Sequence, residues 1–236
     1  TAINKTIFAV SSDDLRPAMT GVFFELDKKG ITFVATDAHR LVRFTRKDVK
    51  CPQKDSFIVP KKPLNLLKSA LPDNEDELTL SYNSNHLFVT HGSTQLICRL
   101  IDARFPDYKV VIPIDNPYKL VVNKTDFQNA LRRVSVFSNK STNQVALSIS
   151  GSELQLAAQD IDFSFEGNER MNCQYDGEDL QIAFNAKFLI EMLNAANVDE
   201  IKIELSTPTK AGIIKPTEQA EGEDLLMLVM PLMLNN

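Results

Sequence analysis

Apolar residues recur at every second position over much of this chain and at helical spacing over only a few stretches. Val22, Phe24 and Leu26 fall on one face of a predicted strand near 21–26, and Ile31, Phe33 and Ala35 do so near 31–36, because successive strand side chains point to opposite faces. A helix near 61–71 follows, then strands near 77–82, 86–91 and 95–101. After residue 114 the order returns, with strands near 119–123, 144–149, 154–159, 180–184, 200–205 and 225–230 and helices near 126–138 and 186–196. Pro208 to Glu223 contains a polar, acidic stretch that reads as a loop.

Sliding the chain along itself by 123 residues places Val22, Phe24, Leu26, Ile31, Phe33, Ala35 and Asp37 on Val145, Leu147, Ile149, Leu154, Leu156, Ala158 and Asp160 without a gap. The same shift places Glu77 to Leu80 on Glu200 to Ile203. One strand-rich pattern is used twice, which predicts two similar domains, 1–113 and 114–236, joined through Ile112 to Pro117. The second opens with the strand Lys119-Leu120-Val121-Val122 before its first helix, whereas the first begins almost inside its helix. The repeat therefore predicts a fragment whose first domain lacks its opening strand and leaves a sheet edge unpaired.

The predicted helices differ in what they turn outward. From Lys61 onward, Leu64, Leu66, Leu67, Ala70 and Leu71 share one arc, with Lys61, Lys62, Asn65, Lys68 and Ser69 opposite and no acid among them. In 126–138, Phe127, Ala130, Leu131 and Val134 form the apolar stripe, opposite Asn129, Arg132 and Arg133. In 186–196, with Asn185 as the predicted N-cap, Phe188, Leu189, Met192 and Leu193 turn inward, while Lys187, Glu191 and Asn194 turn outward.

Charge sharpens the picture. The chain sums to -5, but residues 1–113 carry 16 Lys and Arg against 13 Asp and Glu, while residues 114–236 carry 10 against 18. A negative total argues against nonspecific nucleic-acid binding over the whole surface and leaves room for a local basic face. Helix faces kept free of acid in an acidic protein are suited to phosphate, which Lys and Arg neutralise without reading sequence. Cys51, Cys98 and Cys173 are odd in number, far apart and without CxxC spacing. They predict free thiols in a reducing cytosol and no zinc site. No window reaches the roughly 18 uninterrupted apolar residues of a membrane span, and the N-terminus has no export signal. The expectation is a cytoplasmic protein with no cofactor.

Three motifs carry a resemblance: Ala35-Thr36-Asp37-Ala38-His39-Arg40-Leu41, Arg104-Phe105-Pro106-Asp107-Tyr108 and Val229-Met230-Pro231-Leu232. Together with Phe57 to Lys61 and Phe184-Asn185 before two helices, they resemble signatures of the bacterial DNA sliding clamp, the beta subunit of DNA polymerase III. The match runs in order from about Leu15 to the C-terminus and corresponds to the second and third of that family's three domains. It implies an α+β fold of two similar DNA-clamp domains, each with sheets outside and two helices on the inner face. It also implies a replication processivity factor, bacterial and nucleoid-associated during replication, that encircles duplex DNA as a head-to-tail homodimeric ring when full length. The fragment alone is expected to be monomeric, because the family interface joins the third domain to the first.

The resemblance further implies a pocket between the two domains for short linear peptides of the polymerase, the clamp loader and repair proteins, often carrying Gln, Leu and a terminal Phe. Carried over by position, its residues are Met19, Thr36, Ala38, His39, Arg40, Leu41, Pro106, Val110, Val111, Thr209, Ala211, Leu228, Val229, Met230, Pro231 and Leu232. Apolar members such as Met19, Leu41, Val111, Leu228 and Met230 would desolvate a leucine or aromatic anchor, at roughly 1.5–3 kcal/mol per buried side chain. Lys61, Lys62, Lys68, Arg132, Arg133 and Lys187 would face DNA. The chain departs from the pattern at Ala38, often Gly, at Val110, where a basic residue can stand, and in the tail Met233-Leu234-Asn235-Asn236 beyond the usual ending.

Two other readings compete. An Asp that orients a His is a common acid–base device, and Asp37 and His39, if on a strand, share a face. No nucleophile, phosphate loop or metal cluster accompanies them, so catalysis is not expected. His86 and His91, five apart on a strand, face opposite sides and do not share a metal. A strand-rich interaction module without a DNA role is the second alternative, favoured if the helix cations scatter.

Overall fold

The protein is described by a computed structural model covering residues 1–49, 51–71 and 76–234. Two compact units emerge. The first is Thr1–Tyr108 with Ala220–Leu225, the second Lys109–Gln219 with Leu226–Asn236.

The first unit runs α1 (Ala2–Thr6), β1 (Gly21–Asp27), β2 (Gly30–Thr36), β3 (Arg40–Arg46), β4 (Asp55–Pro60), α2 (Lys61–Ala70), β5 (Thr79–Tyr82), β6 (His86–His91) and β7 (Thr94–Arg99). Its strands pair antiparallel in the orders β3-β2-β1-β4 and β5-β6-β7. Phe24, Leu26, Val34, Val42, Phe44, Ile58, Leu64 and Leu67 are buried in its core. The segment around Gly222 joins this unit through Lys47 N–H donating to the Gly222 carbonyl at 2.7 Å.

The second unit runs β8 (Tyr118–Asn123), α3 (Lys124–Ser135), β9 (Gln144–Ser150), β10 (Glu153–Asp160), β11 (Phe165–Asn172), β12 (Gln174–Asp176), β13 (Leu180–Asn185), α4 (Ala186–Ala195), β14 (Glu200–Leu205), β15 (Gly212–Pro216) and β16 (Glu223–Val229). One sheet has the order β12-β8-β14-β15-β16, the other β11-β10-β9-β13. Helices α3 and α4 pack on each other, and their inward residues Phe127, Leu131, Leu189 and Met192 are buried with Leu147, Leu156 and Ile203.

The repeat in the sequence is a repeat of register. Phe24 pairs with Phe33 and Leu26 with Ile31 in the first unit, and Leu147 with Leu156 and Ile149 with Leu154 in the second. Strand leads directly into helix three times, from β4 into α2, β8 into α3 and β13 into α4, and the last two junctions are closed by a side-chain cap. Asn123 accepts from Asp126 N–H at 3.0 Å, and Asn185 from Lys187 and Phe188 N–H at 3.0 and 3.3 Å, satisfying donors that a helix start otherwise leaves open.

The structure corrects several expectations. Residues 208–223 are not all loop, because Gly212, Ile213, Ile214 and Pro216 are buried in β15 between β14 and β16. Leu66 is not on the buried arc of α2 but 53% exposed, since only Leu64 and Leu67 point squarely inward. Phe188 is half-buried rather than core. Helix α3 runs from Lys124 to Ser135 rather than over 126–138, and its first turn exposes Asp126, an acid within the predicted span that the expected positive face left out. Asn235 and Asn236 lie outside the described residues.

Candidate functional site

In the first unit the motif residues build one turn. Thr36 pairs with Leu41 across β2 and β3, leaving Asp37 to Arg40 as a tight connection. Asp37 Oδ1 accepts from the backbone N–H of both His39 and Arg40 at 3.0 Å, and Asp37 Oδ2 from Arg40 Nε at 3.0 Å. Thr36 Oγ1 donates to the Arg40 carbonyl at 2.7 Å and accepts from Ala38 N–H at 3.1 Å. Arg40 is buried. Its Nη2 donates to the Phe8 carbonyl at 2.8 Å, and its guanidinium lies 5.3 Å from the Phe8 ring centroid. The Asp37 carboxylate is thus committed to shaping a turn, and Asp37 and His39 lie in that turn rather than on a strand. Ala38 sits at its apex with φ of 76°, a left-handed conformation that costs an L side chain about 1–2 kcal/mol.

In that turn Ala38 and His39 are exposed; elsewhere in the same unit Met19, the last residue of a 3-10 turn, is half-buried and Pro106 is exposed. Next to Pro106, Phe105 stacks on Phe23 with centroids 4.6 Å apart, and buried Tyr108 donates to Glu25 Oε2 at 2.7 Å. Burial, with the Glu25 carboxylate, pushes the Tyr108 hydroxyl well above its ordinary pKa.

In the second unit the motif residues divide between surface and core. Val110 and Val111 are 76% and 54% exposed, and Thr209 is exposed. Asn116 ties the segment beside them, its Nδ2 donating to the carbonyls of Glu204 and Ala211 at 3.0 and 2.9 Å. Leu228 and Val229 are buried in β16, Met230 is exposed, and Pro231 and Leu232 are half-buried. Leu232 N–H then donates to the Ala183 carbonyl at 2.8 Å, bridging the tail to the edge of β13.

This burial changes the expected division of labour. Leu41 and Leu228, 2% and 3% exposed, present no apolar surface and pack as core. Among the motif residues of the second unit, Val110, Val111 and Met230 expose apolar surface, and in the first unit Met19 does so in part.

The basic helix residues are likewise unequal. Lys62 and Lys68 are exposed and Lys61 half-buried on α2, which carries no acid. Arg132 and Arg133 are exposed on α3, and Lys187 on α4. Arg133, however, is clasped by Glu169 of β11, a partner that the sequence did not reveal. This cleft is lined by Asn123, Asp126, Asn129 and Asn172 as well as the ion pair.

Comparison with known proteins agrees with this architecture. The DNA polymerase III beta subunit central-domain model matches residues 1–107, and the C-terminal-domain model of the same subunit matches residues 109–232. The beta sliding clamp of Pseudomonas aeruginosa is 27% identical over 234 residues, covering 98% of this chain and 62% of that protein. A crystal structure of the Pseudomonas aeruginosa clamp bound to griselimycin superposes with a TM-score of 0.92 at 25% identity, over 98% of this chain and 62% of that one. The Thermotoga maritima beta subunit gives 0.91 at 29% identity, over 99% and 63%. The chain thus spans about three fifths of the length of its curated relatives.

The fold is α+β and is that of sliding-clamp domains. The chain belongs to the DNA polymerase III beta subunit family, which it matches through the central and C-terminal domains.

Proposed function

We propose that this chain provides the central and C-terminal domains of a bacterial replication clamp, which holds polymerase and other proteins on duplex DNA by topology rather than by chemistry. The observation that carries this reading is the tandem family match of both units over nearly the whole chain. No turnover is required of it, since a ring around duplex DNA prevents a tethered partner from diffusing away even when its own grip on the backbone is weak. The exposed cations Lys62, Lys68, Arg132 and Lys187 suit such a grip. Closing the homodimeric ring is assigned to the full-length protein, and the 236-residue chain by itself is proposed to be a monomer. The role places it in the bacterial cytoplasm, on the nucleoid during replication.

We further infer that short peptides of polymerase, clamp loader and repair proteins are its ligands. The Asp37–Arg40 turn with Met19 and Pro106 in one unit, and Val110, Val111, Thr209 and Met230 to Leu232 in the other, serve the same ligand class. Exposed apolar groups held on a hydrogen-bonded backbone are what a leucine or aromatic anchor requires. Methionine adapts to several partners in turn.

The test is a fluorescence-anisotropy titration with a labelled Gln-Leu-x-Leu-Phe peptide, using a scrambled peptide and Met230→Ala as controls. Saturable binding in the micromolar range, roughly -8 kcal/mol, weakened in both controls, supports the reading. Absence of binding by a folded sample removes the peptide role and favours a plain interaction module.

A further inference from the structure

The six methionines of the chain are protected very unequally. Met192 and Met227 are fully buried, and Met19 and Met171 are half-buried. Met230 and Met233 are 42% and 80% exposed. These two lie in a tail fixed on both sides of Met230. Val229 pairs with Gly212 at the end of β16, and Leu232 is hydrogen-bonded to Ala183 of β13. Pro231 stiffens the step between those anchors. An exposed thioether on a fixed backbone is open to solvent oxidants without any opening of the fold.

We propose that Met230 and Met233 form an oxidation site through which peroxide turns off peptide binding. The inference rests on the peptide-binding reading above. The reaction is an oxygen transfer: the peroxide O–O bond breaks, one oxygen bonds to the methionine Sδ, the sulfur loses two electrons, and the peroxide leaves as water. The sulfoxide is polar where the thioether was apolar, so a leucine or phenylalanine anchor would have to cover a strong acceptor with no donor to meet it. Reversal needs a dithiol reductase, which removes the oxygen as water and is itself oxidised to a disulfide. The buried Met192 and Met227 keep the core out of the reaction, so the switch leaves the fold intact.

The experiment begins with the untreated chain and the labelled Gln-Leu-x-Leu-Phe peptide. Absence of binding here refutes the peptide-binding reading itself, and this inference falls with it. Given binding, the chain is titrated with hydrogen peroxide, and the oxidised positions are mapped by mass spectrometry while the thermal midpoint is followed. The expected result is oxidation of Met230 and Met233 well before Met192 and Met227, an unchanged thermal midpoint, and an affinity loss of about tenfold or more. Methionine sulfoxide reductase should restore the affinity. The double variant Met230→Leu with Met233→Leu, judged against its own untreated sample, should lose the response to peroxide. Unaltered affinity with both residues oxidised, or oxidation spread evenly over all six methionines, overturns the proposal.

Discussion

Arg133 on α3 donates through Nε and Nη2 to the two carboxylate oxygens of Glu169 on β11, at 2.9 and 2.5 Å. A guanidinium engaged in this bidentate way has turned its best-placed donors away from any phosphate. The same contact holds the Glu169 carboxyl below its ordinary pKa, chiefly through the hydrogen bond from Arg133. Both groups are accessible, so the pair contributes little to stability and acts mainly on what Arg133 is free to meet. Under the proposed role, Glu169→Gln should therefore raise affinity for duplex DNA. It should also steepen the dependence of log K on log salt by about 0.9, the increment for one further phosphate contact. Arg133→Gln in the unaltered protein should change neither by much. Binding isotherms at several salt concentrations check this, and an unchanged slope in Glu169→Gln would place Arg133 away from DNA.

The turn at Asp37 to Arg40 makes the second prediction. Ala38, at φ of 76°, has taken a conformation open to glycine without cost. Ala38→Gly removes about 1–2 kcal/mol of local strain and restores about 0.5–1 kcal/mol of unfolded-chain entropy. A net gain of a few tenths to about 1 kcal/mol follows. The thermal midpoint of the transition involving the first unit should rise by about 1–4 °C. Arg40→Ala acts in the opposite sense, because it removes the donor to Asp37 Oδ2 and empties the contact with Phe8, although Asp37 Oδ1 keeps its two backbone donors. Losing the hydrogen bonds of this buried guanidinium costs about 1.5–3 kcal/mol. Differential scanning calorimetry of the two variants would separate the effects, and a fall for Ala38→Gly would show that the turn is not strained.

Much of this architecture was legible because it is periodic. The hairpins β1–β2 and β9–β10 were visible as a gapless repeat because their apolar residues recur at every second position in the sequence; burial alternates along β1, β9 and β10, whereas β2 is buried on both faces at Val34 and Ala35. Strand β3 was missed because Arg40, Arg43 and Arg46 recur every third residue and mask the alternation of Val42 and Phe44. Strand β11 is half-exposed along its length, so it has no apolar face to announce it. Its Glu169, 36 residues from Arg133, carries no local signal at all. The site motifs located the turn and the tail, but not which members are surface: Leu41 and Leu228 look like ligand contacts in sequence and are core in the fold.

A pH-dependent pair offers a third test. Asp48 is hydrogen-bonded by the Arg46 guanidinium through Nε at 2.8 Å and also through Nη2. That contact pulls its carboxyl from 3.8 to about 2. A folded-state value below the unfolded one gives stability that is present above the unfolded value and lost as pH falls through the folded one. The loss therefore belongs to the window from 3.8 down to about 2. Because the pair is exposed, salt should shrink it. An NMR titration of the Asp48 carboxyl should give a midpoint of about 2. Arg46→Gln should return the midpoint toward the ordinary value, and 1 M salt should move it in the same direction. A midpoint near 3.8 in the unaltered protein would mean that the pair does not persist in solution.

The last prediction concerns the junction at which β13 becomes α4. Asn185 accepts from two N–H groups of the first turn and donates through Nδ2 to the Thr142 carbonyl at 3.1 Å, while Ala186 N–H donates to the Asn143 carbonyl at 2.8 Å. The first turn of α4 has no acidic residue to take over the capping role. Asn185→Ala should therefore cost about 1 kcal/mol, or roughly 2–4 °C in thermal midpoint. Asn185→Asp separates the two functions, because it keeps the acceptor and adds charge at the positive end of the helix while losing the donor to Thr142. If capping dominates, Asn185→Asp should retain most of the stability that Asn185→Ala loses. If the two variants fall together, the bond to Thr142, which holds the loop before β9, is the stronger part of the junction.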